Sequence, residues 1–344
     1  MVAKPAVFDR LRVDPFILGI LATVALAALL PARGAAAGVT SVGTTVAIGL
    51  LFFLYGVRLS PAEAIAGLRH WRLHLTVVLA TFVLFPLLGI AARVLVPAVL
   101  TPQLYAGLLF LCTLPSTVQS SIAFTSIAKG NVAAAICAAS LSSLLGVFVT
   151  PVLVALLITT GANPLAPKSL LDVVLQLLVP FLLGQLARRW IAGWVKEHKK
   201  LLSVVDRGSI LLVVYTAFSE GVVAGVWHQL RPLRLVGLVG ADLVLLACAL
   251  VITWVVATRL RFNREDRITI VFCGSKKSLS AGLPIASVLF ASQGAGVVGV
   301  IVLPLMLFHQ IQLMVCAALA RRWAARSPDA PVTVGSTERA GLSR

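Results

Sequence analysis

The chain has 344 residues, of which 59% are hydrophobic and only 12% are charged. Soluble globular domains carry about 25% charged residues, so this composition excludes an ordinary soluble protein. The formal net charge of +17 does not indicate nucleic acid binding, because the basic residues lie in short segments between long apolar runs, where they orient membrane helices. We therefore expect a polytopic α-helical membrane protein that is surrounded by the lipid bilayer and has no nucleic acid partner.

Ten apolar runs, each of a length suited to a hydrocarbon core about 30 Å thick, follow one another along the chain. They are residues 15–32, 38–59, 75–98, 103–127, 131–159, 169–189, 202–226, 234–257, 268–291 and 295–320. Residues 1–14 with the first run also resemble a signal peptide, but that run is long for one, so we interpret it as a retained span. The Ser-, Pro- and Gly-rich tail, 326–344, is predicted to be disordered.

The basic residues between the runs fall mainly on one side of the predicted membrane. The positive-inside rule places that side, with both 1–14 and 326–344, in the cytoplasm of a cell (plasma or inner) membrane. The same rule requires 268–291 to be a span, because otherwise the basic residues after the tenth run would lie outside. The transmembrane domain is therefore predicted to cover 15–325.

The ten runs divide into two halves, 15–159 and 169–320, with five spans in each. An odd number of spans per half inserts the two halves with opposite orientation, the arrangement of inverted-repeat transporters. The fourth run of each half is interrupted by polar residues, at 115–121 in the first half and at 274–278 in the second. Matched broken helices of this kind predict a binding site near the middle of the membrane.

The first interruption begins at Pro115, which removes one helical donor and is followed by hydroxyl and amide side chains. A proline kink with hydroxyls bonded back to their own helix is the simpler interpretation. Because a second broken helix matches it, we expect these side chains to line a substrate site instead. The predicted residues are Pro115, Ser116, Thr117, Gln119, Ser120 and Ser121.

The second interruption holds two adjacent lysines. A lysine at the centre of a bilayer helix costs about 2.5 to 3.5 kcal/mol on insertion scales, so the pair indicates a functional site. Two interpretations stay open: one lysine is neutral and serves a proton-coupled step, or one pairs with the intramembrane acid Asp242 or Glu220 while the other snorkels to the membrane surface. All four residues of the interruption are predicted to line the site: Ser275, Lys276, Lys277 and Ser278.

Further polar residues inside the runs complete the candidate site: Glu220, His309, Gln310 and Gln312. The spacing of the cysteines and histidines suggests neither a disulfide framework nor a zinc site. Sequence motifs of ATP hydrolysis, metalloprotease and serine hydrolase chemistry are absent. We therefore expect a protein that is not an enzyme and has no cofactor.

The ten runs, with Gly130-Asn131-Val132-Ala133 opening the fifth, resemble the sodium/bile acid symporter family over residues 15–325. The stretches 215–220, 273–282 and 308–312 are similar to one divergent branch, which includes the orphan sodium/bile acid cotransporter 7 and bacterial relatives. The resemblance implies a core subdomain of spans three to five and eight to ten, and a panel subdomain of spans one, two, six and seven. It also implies that the broken spans four and nine cross at the substrate site.

In sodium-coupled members of that family, hydroxyls, an asparagine, a glutamate and a glutamine around the broken spans hold the ions. The resemblance implies that Ser120 is retained here, whereas Ser121 stands at the asparagine position. Phe272 takes the place of the glutamate, and Lys276 takes that of the glutamine. A missing carboxylate and an added ammonium are close to the opposite of what sodium requires. We therefore expect degenerate sodium sites, with a lysine ammonium in the space of the lost ion.

These observations together predict a secondary active transporter that moves a small organic anion by alternating access. Basic residues at the site and the dipole ends of two broken helices both favour negative charge. The coupling ion is expected to be a proton or sodium, unless the carrier exchanges anions. The alternative is a membrane protein that keeps the fold but regulates ion homeostasis through partners without moving a substrate.

Overall fold

The computed structural model describes residues 15–58, 70–158, 167–225, 231–290 and 296–325. Within these ranges every regular element is helical, as the composition predicts. Residues 1–14 and 326–344, predicted to be a cytoplasmic segment and a disordered cytoplasmic tail, lie outside the described residues.

The helices follow the predicted runs in chain order. They are α1 (Pro15–Leu29), α2 (Ala35–Arg58), α3 (Trp71–Leu95), α4 (Pro102–Thr113), α5 (Val118–Ile127), α6 (Val132–Leu157), α7 (Pro167–Glu197), α8 (Lys199–Val223), α9 (Pro232–Arg259), α10 (Arg264–Gly274), α11 (Leu279–Leu289) and α12 (Val297–Ala325). The fourth and ninth runs are each divided between two helices, α4 with α5 and α10 with α11. The sixth run departs most from its predicted bounds, because α7 continues to Glu197 through a basic segment that hydropathy assigns to a loop.

Most of these helices are built to cross a bilayer. Six of them, α2, α3, α6, α8, α9 and α12, are long and apolar enough to do so alone, and α4 with α5 forms a further span bent by 65°. α10 and α11 have 11 residues each, which is about 17 Å at 1.5 Å per residue, so only the two together approach the thickness of the hydrocarbon core. The chain is thus an all-helical multi-pass membrane protein, while ten spans in two inverted repeats stay a prediction.

Side-chain caps fix where the halves of the ninth run begin. Asn263 Oδ1 accepts a hydrogen bond from the Asp266 N–H at 2.8 Å at the start of α10. Ser278 Oγ accepts one from the Ala281 N–H at 3.2 Å at the start of α11. Each cap satisfies an N–H group that has no partner inside its own helix. Ser278, one of the candidate site residues, therefore also ends the interruption by starting a new helix.

The helices pack into two groups. α1, α2, α7 and α8 form the first group, in which α2 and α7 make the most extensive contact. Gly56 and Gly184 permit this contact, because a Cβ atom at either position would overlap a backbone carbonyl of the facing helix. α3–α6 and α9–α12 form the second group. The groups meet where α8 contacts α11 and α12, and where α7 contacts α6 and α11.

The distribution of apolar and polar side chains is typical of a protein embedded in a lipid bilayer. The outer faces present apolar side chains, among them Leu29 at 79%, Val94 at 83% and Leu233 at 79% exposure. The interior of the second group instead buries Lys276 and Lys277 completely, together with many hydroxyls. Polar groups at this depth need internal partners, because the hydrocarbon supplies none. The contacts of these buried groups therefore define the candidate site.

Candidate functional site

The two broken helices meet at their breaks, which lie between α4 and α5 and between α10 and α11. Ser116 Oγ donates a hydrogen bond to the carbonyl oxygen of Cys273 at 2.6 Å. Ser121 Oγ donates one to the carbonyl oxygen of Phe272 at 3.1 Å. These hydroxyls of the first break thus bond to the second broken helix, whereas a simple proline kink would direct them back to their own helix.

The contact between the breaks is reciprocal. Thr117 Oγ1 donates a hydrogen bond to the carbonyl oxygen of Lys277 at 2.7 Å. In return, the Ser278 N–H donates one to the carbonyl oxygen of Pro115 at 2.9 Å. Irregular backbone at membrane depth is stable only with partners of this kind, because no water is there to replace them. Each break therefore completes the hydrogen bonding of the other.

α6 supports the first break with three positions on one face, Ser142, Gly146 and Thr150. Ser142 Oγ accepts a hydrogen bond from the Ser116 N–H at 3.0 Å, and Thr150 Oγ1 donates one to the last carbonyl of α4 at 2.9 Å. A Cβ atom at Gly146 would lie 2.6 Å from the ring of Pro115, so only glycine admits this packing. The sequence reasoning missed these positions. Their spacing of four residues, which places small and hydroxyl side chains on one helix face, is the signal that could have found them.

Lys277 points into a cage of backbone oxygens. Its fully buried Nζ donates hydrogen bonds to three carbonyls, those of Thr81 (2.8 Å), Cys112 (3.0 Å) and Leu114 (2.7 Å). All three ammonium protons are used, and the ring centroid of Phe85 lies 4.2 Å from the same nitrogen. Two of the oxygens belong to the end of α4, where carbonyls lack partners inside the helix, and the third belongs to a π-helical turn of α3. The ammonium thereby ties α3 and α4 to the second break.

Gln312 holds the backbone of the same lysine. Its Oε1 accepts a hydrogen bond from the Lys277 N–H at 2.9 Å, and its Nε2 donates one to the Lys277 carbonyl at 2.9 Å. Nε2 also lies 2.9 Å from Nδ1 of His309. Gln310 is half-buried and forms no side-chain hydrogen bond with the described residues. Of the three polar residues predicted in α12, His309 and Gln312 therefore join the site and Gln310 does not.

Lys276 points away from the carbonyl cage and lies against two aromatic rings. Its Nζ is 3.8 Å from the ring centroid of Phe124 and 5.5 Å from that of Phe272. The ammonium is fully buried and has no hydrogen-bond partner in the described part of the chain. The interpretation that one lysine pairs with Asp242 or Glu220 while the other snorkels is wrong, because both ammonium groups are buried and neither forms an ion pair with a described acid.

The family resemblance compares four positions with sodium ligands, and three of them, Ser121, Phe272 and Lys276, lie close together. Ser121 bonds to the backbone of Phe272, whose ring lies beside Lys276. At the fourth position, the Ser120 hydroxyl is buried without a hydrogen-bond partner among the residues described. Ser275 Oγ donates back to its own helix, to the carbonyl of Val271 at 2.6 Å. Across the described ranges, no group of three or more His, Cys, Asp or Glu side chains is placed to hold a metal ion.

An open cavity of about 360 Å³ lies where α2, α7 and α8 of the first group face α5 of the second. The charged residues that line it are Arg58, Arg188, Lys196, Lys199 and Asp206. One of the four cations, Arg58, is bonded to the single acid at 2.5 Å, so the cavity has a surplus of positive charge. Gln119, in the first turn of α5, is exposed and lines the same cavity. Among the residues predicted from the sequence, Gln119 is the one on this cavity, whereas the two lysines lie buried at the breaks.

Glu220 lies far from this cavity. Of the residues that line the cavity, Asp206 is the nearest to Glu220 in the same helix, 14 residues earlier, which is about 21 Å along the axis of α8. The half-buried carboxylate of Glu220 forms no ion pair with a cation of the described residues. The structure therefore separates Glu220 from the basic cavity that contains Gln119.

Comparison with known proteins agrees with the resemblance seen in the sequence. The profile of the SBF-like CPA transporter family (DUF4137) matches residues 14–325. The "Uncharacterized protein PA2026" of Pseudomonas aeruginosa is 58% identical over 322 residues, which are 93% of this chain and 96% of that protein. YfeH of Escherichia coli K12 is 53% identical over 310 residues, 90% of this chain and 92% of YfeH. Sodium/bile acid cotransporter 7 of Xenopus tropicalis is 29% identical over 317 residues, 90% of this chain and 92% of the frog protein. The chain therefore belongs to the SBF-like CPA transporter family.

Proposed function

We propose that the protein is a secondary active transporter that moves a small organic anion by alternating access. The observation that carries this proposal is the meeting of two broken helices, whose breaks complete each other's hydrogen bonds beside two buried lysines. Broken helices at the middle of a membrane are the usual binding elements of secondary transporters. Family membership indicates a transporter, and the positive charge of the site indicates a negatively charged substrate.

The proposed access step is a rocking motion of one helix group against the other. In this proposal ten spans form two inverted repeats, 15–159 and 169–320, in the inner (plasma) membrane with both termini cytoplasmic. α3–α6 with α9–α12 make up the core, and α1, α2, α7 and α8 make up the panel. The packing of the helices into these two groups supports the division. Because few helix pairs join the groups, movement along this seam disturbs little of the remaining structure.

The basic cavity is the proposed entrance for the anion. Its cations come from α2, α7 and α8, whereas Gln119 comes from α5, so the cavity spans the seam between the two groups. The first turn of α5 adds N–H groups without partners inside the helix and the positive end of the helix dipole. We place the substrate path between Gln119 and the two breaks. The remaining predicted residues of the breaks, 115–121 and 275–278, form its inner end.

The sodium sites are proposed to be degenerate. Sodium needs hard oxygen ligands, but Phe272 presents an aromatic ring to Lys276 where the family resemblance expects a carboxylate. The oxygens that do converge at the crossing already bind the ammonium of Lys277. A lysine ammonium therefore takes the place of a bound cation. Transport is expected to be independent of sodium, and coupled to protons or to the exchange of a second anion.

A ligand screen tests this proposal. Purified protein is exposed to small organic anions with and without sodium, and thermal unfolding is recorded for the wild type, Lys276→Ala and the exposed-site control Lys200→Gln. We expect at least one anion to stabilise the wild type and Lys200→Gln equally, without a need for sodium, and to lose its effect in Lys276→Ala. Uptake into proteoliposomes then shows whether that anion is carried.

Two results would contradict the proposal in different ways. Uptake that requires a sodium gradient and survives Lys276→Ala would refute the degenerate sodium sites. A screen without any stabilising anion, together with no uptake, would refute transport and favour the regulatory alternative. No contact among the described residues supports that alternative on its own.

A further inference from the structure

Asp242 is a buried acid that the proposed substrate path does not use. It lies in the middle of α9, 10 residues after Pro232, which is about 15 Å along the axis and half of a hydrocarbon core about 30 Å thick. The side chain is 0% exposed, and neither carboxyl oxygen has a hydrogen-bond partner among the described residues. A side chain this short does not reach interfacial water from that depth.

The surroundings of Asp242 are apolar. Leu238, Ala241, Leu245 and Leu246 of the same helix belong to the main buried core, and α9 packs against α3, α10 and α12. The titratable and charged residues of those helices and of the adjoining α4 are Arg72, His74, Arg93, Tyr105, Cys112, Arg264, Glu265, Asp266, Arg267, Cys273, His309, Cys316, Arg321 and Arg322. None of these described residues forms an ion pair with Asp242. Of this set, the Cys112 thiol lies close enough to Asp242 to be affected by its charge.

Cys112 connects Asp242 with the crossing of the broken helices. The carbonyl of Cys112 accepts a hydrogen bond from Lys277 Nζ at 3.0 Å. Its thiol lies within electrostatic reach of Lys277 and also of Asp242. The carboxyl group and the ammonium that ties α4 to the second break therefore share Cys112 as a neighbour, but they form no ion pair with each other.

An isolated carboxylate in an apolar interior is strongly unfavourable, whereas the neutral acid has only the cost of an unbonded polar group. We propose that Asp242 is a proton-binding site, which holds its proton while the helices are packed as described and releases it when their separation admits water. On release the O–H bond breaks, its electron pair stays on the carboxylate oxygen, and the proton passes to water. The role of this proton as the coupling ion rests on the proposed transport function, but its presence on Asp242 does not.

Infrared spectroscopy of the full-length protein tests proton occupancy directly. The wild type at neutral pH is expected to show the C=O stretching band of a protonated carboxylic acid. That band should disappear in Asp242→Asn, which keeps the size and neutrality of the protonated side chain, and should persist in the matched control Glu265→Gln, which removes an exposed acid.

Thermal unfolding gives a second readout that needs no substrate. The melting temperature of the wild type should fall as the pH is raised from acidic to neutral, because the carboxyl group keeps its proton in the packed protein but loses it in the unfolded chain. Asp242→Asn should lose this component of the fall, whereas Glu265→Gln should keep it.

The proposal is overturned if the wild type lacks the protonated band, or if the band and the pH dependence persist in Asp242→Asn. Should that variant not fold, Asp242→Glu is measured instead, where an unchanged band position overturns the assignment and a shifted position supports it. An intact band in a protein that moves no anion would refute the transport proposal alone. Sodium-independent uptake without the band would refute the proton site alone.

Discussion

Replacing Lys277 by methionine is expected to destabilise the protein, because it removes the cation that three backbone oxygens share. The carbonyls of Thr81, Cys112 and Leu114, now 2.7 to 3.0 Å from Nζ, would stay buried without that partner. An unsatisfied buried acceptor costs about 1 to 3 kcal/mol, so three of them cost about 3 to 9 kcal/mol. Because methionine is neutral, the variant also avoids the desolvation of an ammonium, which opposes folding of the wild type by several kcal/mol. We therefore expect the free energy of unfolding to fall by about 3 kcal/mol.

The neighbouring Lys276→Met is the matched control, with an opposite expectation. The Lys276 ammonium has no hydrogen-bond partner among the described residues, and its contacts are to the rings of Phe124 and Phe272. A desolvated cation–π contact contributes about 2 kcal/mol, less than the several kcal/mol that burial of the charge costs. Lys276→Met should therefore leave the stability unchanged or raise it.

Thermal unfolding of both variants in the same detergent, followed by tryptophan fluorescence, measures the difference. Ammonium chloride adds a second arm, because the space vacated in Lys277→Ala exposes three carbonyls to a small cation. Ammonium should raise the melting temperature of that variant more than choline chloride at equal concentration does. If Lys277→Met is as stable as Lys276→Met, and ammonium has no specific effect, the carbonyl cage does not hold the crossing together.

Three further substitutions test separate parts of the site. Gln312→Leu removes both hydrogen bonds to the backbone of the second break and should cost about 2 to 4 kcal/mol, whereas equal stability in thermal unfolding would show that the clamp is dispensable. Gly146→Ala places a Cβ against the proline ring of the first break and should cost about 1 to 3 kcal/mol. Gly193→Ala, where nothing lies within 4 Å, should stabilise by about 0.5 to 1 kcal/mol, and equal effects of the two would remove the packing argument. Lys199→Gln should weaken the affinity for a stabilising anion roughly two- to fivefold, because one exposed charge contributes about 0.5 to 1 kcal/mol. Lys200→Gln, whose position does not line the cavity, should leave the anion effect unchanged in the same titration.

The positions of the breaks could be predicted from the sequence, because Pro115 and the paired lysines are strong local signals. A proline cannot donate to the helix, and two charges in an apolar run need partners that a regular helix does not offer. The partners themselves could not be predicted. Lys277 binds carbonyls of α3 and α4, and every residue has a carbonyl, so no residue type marks the cage.

Other parts of the site depend on packing that hydropathy does not encode. Gln119 and Gln312 look alike as polar residues of apolar runs, yet one is exposed in a basic cavity and the other is fully buried at the second break. The sequence shows Asp242 as an intramembrane acid, and its pairing with a lysine is one of the two interpretations that the sequence leaves open. The fold brings no described cation to its carboxylate, because Lys277 is already bound by backbone oxygens.

The reciprocal hydrogen bonds between the breaks also have a consequence for how the protein is made. The hydroxyls of Ser116 and Ser121 have their partners at Cys273 and Phe272, about 150 residues later in the chain. During synthesis the first broken helix therefore enters the membrane before the backbone that will satisfy it exists. Until the second broken helix is inserted, the first half must retain water or borrow other partners at its break. Assembly of the helix bundle is complete only when the second broken helix is inserted, and a chain truncated before residue 272 should leave the first break without these hydrogen-bond partners.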